Sequence, residues 1–224
     1  MCNESGYYNN YISDRFGFNN DDKIYEKKEI HSVFIGDSFL HGACVNNKDN
    51  LISNLRSTKF FKEKNILNLG YSGNGPLLNL ATLREYFPRK KNVKYLFWIY
   101  YEGNDLQELN NEIKSETLSN YLKNSNYTQN LDNKQEKINN YLSVFLKENK
   151  KIDDELNFFS LKNILSILGA DRTRSLIFSK FNNNYKKNIE IINSFKKITR
   201  EIKTHSKSLK TELVFVYIPS SFKS

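Results

Sequence analysis

"HSVFIGDSFLHGACV", residues 31–45, runs from a short apolar stretch into a Gly36-Asp37-Ser38 corner and then into small residues. The apolar part has the length of a strand, and a corner of this composition is what a chain needs to leave a strand and enter a helix. Ser38 is then either a nucleophile presented at the strand's end or a helix cap in an ordinary turn. The rest of the chain bears on that choice.

Three further stretches resemble the first. "NILNLG" at 65–70, "VKYLFWIYY" at 93–101 and "ELVFVYIP" at 212–219 are compact runs of β-branched, aromatic and Leu residues, apolar on both faces. Alternation disappears when neither face of a strand meets water, so the four read as parallel strands covered by helices. Between the second and third, "PLLNLATLREYF" repeats apolar residues at helical spacing. The resulting βαβαβ order predicts an α/β fold with a parallel sheet and right-handed crossovers.

About 110 residues separate the third and fourth strands, far more than a crossover needs. The link reads as mostly helical. "DLQELNNEIKSETLSNYL", "NKQEKINNYLSVFLKEN" and "SLKNILSIL" form one group, and "NIEIINSFKKITREIK" places Ile189, Ile192, Phe195, Ile198 and Ile202 on one face as the crossover helix. The Asn- and Lys-rich "FNNNYKKN" reads as a loop end. One domain over 1–224 is expected: an extension (1–30), a core (31–105), a helical insertion or cap near the mouth of the sheet (106–182), and the crossover helix with the fourth strand (183–219).

A chain of 224 residues can bury roughly 70% of its unfolded surface, enough for one sizeable core. Its formal charge of +9 comes from 34 basic against 25 acidic residues. Acidic residues are interspersed with the lysines and no basic block alternates with aromatics, so the excess reads as solvated surface and no nucleic-acid partner is expected. No stretch approaches the roughly 18 apolar residues of a membrane span. The N-terminus has neither the basic nor the apolar region of a secretory signal, which makes the cytoplasm the default expectation. Cys2 and Cys44 are too few and too far apart for a disulfide scaffold or metal site, and Cys44, among small residues, reads as buried packing. No cluster has metal-ligand spacing and no glycine-rich loop has the dinucleotide or P-loop form, so no cofactor is expected.

In a parallel sheet the loops at the carboxyl ends of the strands build the site. Here they read Gly36-Asp37-Ser38, Gly70-Tyr71-Ser72-Gly73-Asn74-Gly75-Pro76 and Glu102-Gly103-Asn104-Asp105. Ser38 offers a hydroxyl at a helix start, where N–H groups and the helix dipole favour negative charge. Gly73 can bring a bare backbone N–H close to a substrate, and Asn104 carries a side-chain amide donor. Together these groups suit the oxyanion of a tetrahedral intermediate. Asp37 and Asp105 read as acceptors for loop N–H groups.

With these three blocks in place the chain resembles the SGNH or GDSL hydrolases. "FIGDSF" matches the first block with Ser38 as nucleophile, "NLGYSG" the second with Gly73 as oxyanion donor, and "YYEGND" the third with Asn104 as the remaining donor. The resemblance covers residues 30–105, with "FVYIPS" fitting the next strand. It implies a flavodoxin-like three-layer α/β/α sandwich, and hydrolysis or transfer of an O-linked acyl group on a small-molecule or carbohydrate ester. The family's fourth block, Asp-x-x-His, has no counterpart in this sequence. The chain is therefore expected to be an inactive fragment, incomplete at its C-terminus, with "LVFVYI" at 213–218 left as a hydrophobic edge prone to aggregation.

Each histidine can be weighed as a substitute base. His31 lies at the amino end of the first strand, roughly 20 Å from Ser38 at about 3.3 Å per residue. His41 follows Ser38 on the same helix and would have to bend back, and His205 ends the crossover helix at the far side of the sheet. A non-catalytic ligand- or carbohydrate-binding module, with Tyr71, Tyr100 and Tyr101 stacking on sugars, is the alternative expectation.

Overall fold

A computed structural model describes residues 11–42, 44–156 and 189–220. Four strands form the sheet: β1 (Glu29–Ile35), β2 (Ile66–Asn68), β3 (Asn92–Tyr101) and β4 (Glu212–Ile218). All pairings are parallel and the order is β2-β1-β3-β4. Among the described residues the α-helices are α1 (Ser38–His41), α2 (Leu51–Ser57), α3 (Pro76–Tyr86), α4 (Asp105–Glu112), α5 (Glu116–Lys123), α6 (Gln135–Leu156) and α7 (Ile189–Ser208). This is the mixed α/β, parallel-sheet class expected from the sequence.

The sheet is covered on both faces, which is why β1, β2 and β3 lack alternation. On one face Phe34 stacks on Phe97 with ring centroids 4.5 Å apart, and Leu40, Ile52, Phe61 and Ile66 close over them. On the other, Trp98 and Tyr100 meet Phe195 of α7. Full burial of each such Leu, Ile or Phe contributes on the order of 2 kcal/mol. β4 is one of the two edge strands, and its Phe215 and Tyr217 are about half exposed.

Residues 11–132 and 189–220 belong to one compact unit and 133–156 to a second. The expected insertion is therefore not of one kind. Its first part forms α4 and α5, which pack on α3 and α7 within the sheet's own unit. Arg84 of α3, almost fully buried, fastens this layer by donating to the Tyr121 and Asn124 carbonyls (2.7 and 3.0 Å) and to Glu201 of α7 (2.7 Å). The "SLKNILSIL" helix and the "FNNNYKKN" loop lie outside the described residues.

Four local expectations are corrected. The helix read through 105–122 is two helices, because Ser115 caps α5 by accepting the Leu118 N–H. The buried face of α7 runs through Ile191, Ile198 and Ile202, leaving Ile189 at the helix start 73% exposed. Cys44 is half-buried and disulfide-bonded, not a buried thiol, a pairing that spacing alone could not reveal. Residues 14–25 of the N-terminal extension join the core: Asp14 gathers the Phe16 and Phe18 N–H groups, the Asn20 amide and the Tyr25 hydroxyl, and Phe18 and Ile24 are buried.

Candidate functional site

The loops after β1, β2 and β3 meet at the carboxyl end of the sheet, because β1 is central and pairs with both neighbours. The cap of α1 is Asp37, whose carboxylate accepts the Phe39 N–H at 3.0 Å, so the Ser38 hydroxyl is not spent on capping. α1 is a single turn ended by Gly42 in the left-handed conformation. The dipole expected at Ser38 therefore has too few aligned peptides to build up.

Ser38 and Asn104 stand beside Asp37, whose Oδ1 accepts the Phe39 N–H and whose Oδ2 is buried without a hydrogen-bond partner. Burial pushes the Asp37 carboxyl above its ordinary range, and the Phe39 N–H, the Asn104 side chain and the Ser38 hydroxyl pull it back down. Asn104 Oδ1 is likewise buried without a partner.

Next to them Asp105 is completely buried, with Oδ2 accepting the Tyr101 N–H at 3.0 Å and Oδ1 unpaired. Burial first, and then the charges of Asp37, Glu112 and Glu108, push its carboxyl up to about 8. Glu112 is raised to about 7, again by burial foremost. It accepts N–H groups from Gly75, Leu77 and Leu78 at 2.7, 2.9 and 3.3 Å, capping α3 where Gly75 has no side chain to do so. The structural reading of Asp105 as a loop acceptor thus describes its geometry, and Glu112 is a positioning group the sequence reading missed. An acid seven residues past the Asn104 block was its one available signal.

Gly73 stands in the adjacent loop, tied to the first by the Tyr71 N–H donating to the Gly36 carbonyl at 3.2 Å. It is exposed with φ +81°, a conformation glycine adopts without strain, at the third position of a turn closed by Asn74 N–H to Tyr71 C=O at 3.1 Å. Its loop partners differ from those of Ser38. Ser72, which sequence reading passed over, has both its hydroxyl (2.9 Å) and its N–H (3.2 Å) on His41 Nδ1. The imidazole also lies against Tyr71, centroids 4.6 Å apart, and its Nε2 is hydrogen-bonded to the Tyr11 hydroxyl.

His41 is thus turned away from Ser38. His31 contacts Ser32 Oγ and packs on Phe60, Phe61 and Tyr95 at the amino end of β1. His205, held down to about 4 mainly by burial, ends α7. Among the described residues no histidine serves Ser38. Two surface clefts, of about 290 and 540 Å³, share His31, Lys64 and Lys94 and lie at the amino ends of the strands, far from these loops. Among the described residues no cluster of His, Cys, Asp and Glu is arranged to hold a metal, and no helix is long and apolar enough to cross a membrane.

Fold and loops together define an α/β protein with a parallel sheet and a polar, serine-bearing cluster at its carboxyl end. No family model, no curated protein and no solved structure matches the chain.

Proposed function

We propose that the protein to which this chain belongs hydrolyses or transfers an O-linked acyl ester of a small molecule or carbohydrate, with Ser38 as nucleophile. The observation that carries this is that Ser38, at the end of β1, and Asn104, at the end of the adjacent β3, flank Asp37 in neighbouring loops, with Gly73 one loop away. Ser38 Oγ attacks the acyl carbonyl. The Asn104 NH₂ and the Gly73 N–H receive the oxyanion, and collapse of the intermediate expels the alcohol and leaves the acyl group on Ser38. The proton of Ser38 goes to a base that the described residues do not supply.

The test is steady-state hydrolysis of p-nitrophenyl acetate by the full natural protein. Asn104→Ala is expected to lower kcat by about 10²- to 10³-fold, the scale of one lost oxyanion donor. An unchanged kcat overturns the assignment. The absence of a histidine on Ser38 favours one other reading, a carbohydrate-binding module that uses the half-exposed Tyr71 as a stacking face. In that case Asn104→Ala weakens sugar binding and the protein turns over no ester.

A further inference from the structure

His41 is committed to Ser72, and the commitment has the form of an activated hydroxyl. The Ser72 backbone N–H can only donate, so His41 Nδ1 carries the lone pair and Nε2 the proton, which the Tyr11 oxygen accepts. The Ser72 hydroxyl, 2.9 Å from the same Nδ1 and the shorter of the two contacts, donates to that lone pair. This is a nucleophile on a base whose tautomer and ring position are set by a third group.

The ring is fixed from several sides. Tyr71 lies nearly parallel to it at 4.6 Å and Tyr11 stands edge-on at 5.2 Å. The Asn19 amide donates to the His41 carbonyl at 2.9 Å, and the Asn68 amide to the Leu40 carbonyl at 2.8 Å, which pins the end of α1. Burial holds the imidazole below its ordinary pKa, so it is neutral at physiological pH.

Ser72 itself is exposed, in a strand-to-helix connection between β2 and Pro76 of α3. The residue after it is Gly73, exposed and with open space where a side chain would stand. The N–H of the residue following a nucleophile is a common oxyanion donor, and here it is carried by the turn's one left-handed glycine. We infer that Ser72 is a second nucleophilic serine, with His41 as its general base and Tyr11 as the positioning group for His41, able to take an acyl group from an activated ester independently of Ser38.

The step balances without a co-reactant. Ser72 Oγ bonds to the acyl carbon as its proton passes to His41 Nδ1. The tetrahedral oxyanion reforms the carbonyl as the C–O bond to the leaving alcohol breaks, and the imidazolium returns its proton to that alcohol. Water then releases the acyl group by the same route in reverse.

The test uses a fluorophosphonate, in which the Ser72 oxygen displaces fluoride from phosphorus and His41 takes the proton. The whole chain is labelled and digested, and the adduct is located by mass spectrometry of peptides. An adduct on Ser72 is expected, absent from Ser72→Ala and formed about 10²- to 10⁴-fold more slowly in His41→Gln, the usual range for a general base. The wild-type labelling rate should rise with pH to a plateau, with its midpoint below the ordinary histidine value of about 6.5. No adduct on Ser72, or one whose rate ignores both His41 and pH in that window, overturns the inference. An adduct on Ser38 alone overturns it while supporting the proposed function, and an adduct on Ser72 supports it whatever Ser38 does, the proposed function being read separately from the Asn104→Ala kinetics.

Discussion

Two serines lie at the carboxyl end of one sheet, and their surroundings are opposite in kind. Ser38 adjoins Asp37, itself raised by burial, and its neighbours Asp105 and Glu108 are carboxyls raised first by burial and then by the Asp37 charge. Ser72 adjoins a neutral imidazole with its lone pair toward the hydroxyl. A carboxylate next to a hydroxyl opposes the negative charge that develops on attack, whereas an imidazole removes the proton and the problem together. The lesson is that a helix-start serine in a family-like block is a candidate by position, and a turn serine can be the better candidate by chemistry.

The largest effect expected from perturbing this comparison comes from Asn68, where the two loops are joined. Its side chain donates to Leu40 of α1 at 2.8 Å and accepts from Gly70 at 2.9 Å, while its backbone exchanges hydrogen bonds with Asn20. Asn68→Ala leaves buried polar groups unpaired and a small cavity, a loss of about 3 kcal/mol. For a domain of this size that lowers Tm by roughly 6–12 °C. A shift within 2 °C in a calorimetric scan would show that each loop holds itself.

A smaller effect separates the loops by pH. A carboxyl raised in the folded chain binds protons that the unfolded chain has released, so folding weakens as pH rises from the unfolded value to the folded one. For Asp105 that window runs from about 4 to about 8. The histidines, lowered by burial, act on the acid side, and above about pH 6.5 they are neutral in both states. Between pH 6.5 and 8 the carboxyls act alone. Tm should fall there by on the order of 5 °C, from about 2 kcal/mol at Asp105 with Glu112 adding to it. Asp105→Asn, which keeps an acceptor for the Tyr101 N–H, should flatten that slope. An equal slope in the variant would assign the pH dependence elsewhere.

The smallest effect belongs to Gly73. No atom stands within 4 Å of where its Cβ would be, so Gly73→Ala costs only the left-handed backbone, about 1 kcal/mol. Urea midpoints at constant m would read it. A loss above 3 kcal/mol would mean that the turn is packed rather than open.

Strands, their parallel order and the loops that carry Ser38, Gly73 and Asn104 were legible in the sequence because apolar runs and glycine punctuation are local signals. The rest was not local. Tyr11, Asn19 and Asn20 are polar residues of the N-terminal extension, yet they reach the ends of β2 and α1 across 22 to 48 positions. Arg84 reads as an exposed helix residue until Glu201, 117 positions later, meets it. Ser72 was invisible as chemistry because its partner lies 31 positions earlier, on a helix attributed to Ser38.

The pairing of β3 with β4 joins strands separated by about 110 residues of chain. The entropy of closing such a loop grows only with the logarithm of its length, so halving the connection changes the free energy by merely about 0.6 kcal/mol. Residues 133–188, roughly half of it, can therefore lengthen, shorten or be exchanged while the sheet hardly registers the difference in its equilibrium. The time to find the register is where length counts. β4 and α7 are the segments whose docking waits on the longest search, and the three-stranded remainder carries both serine loops before they arrive.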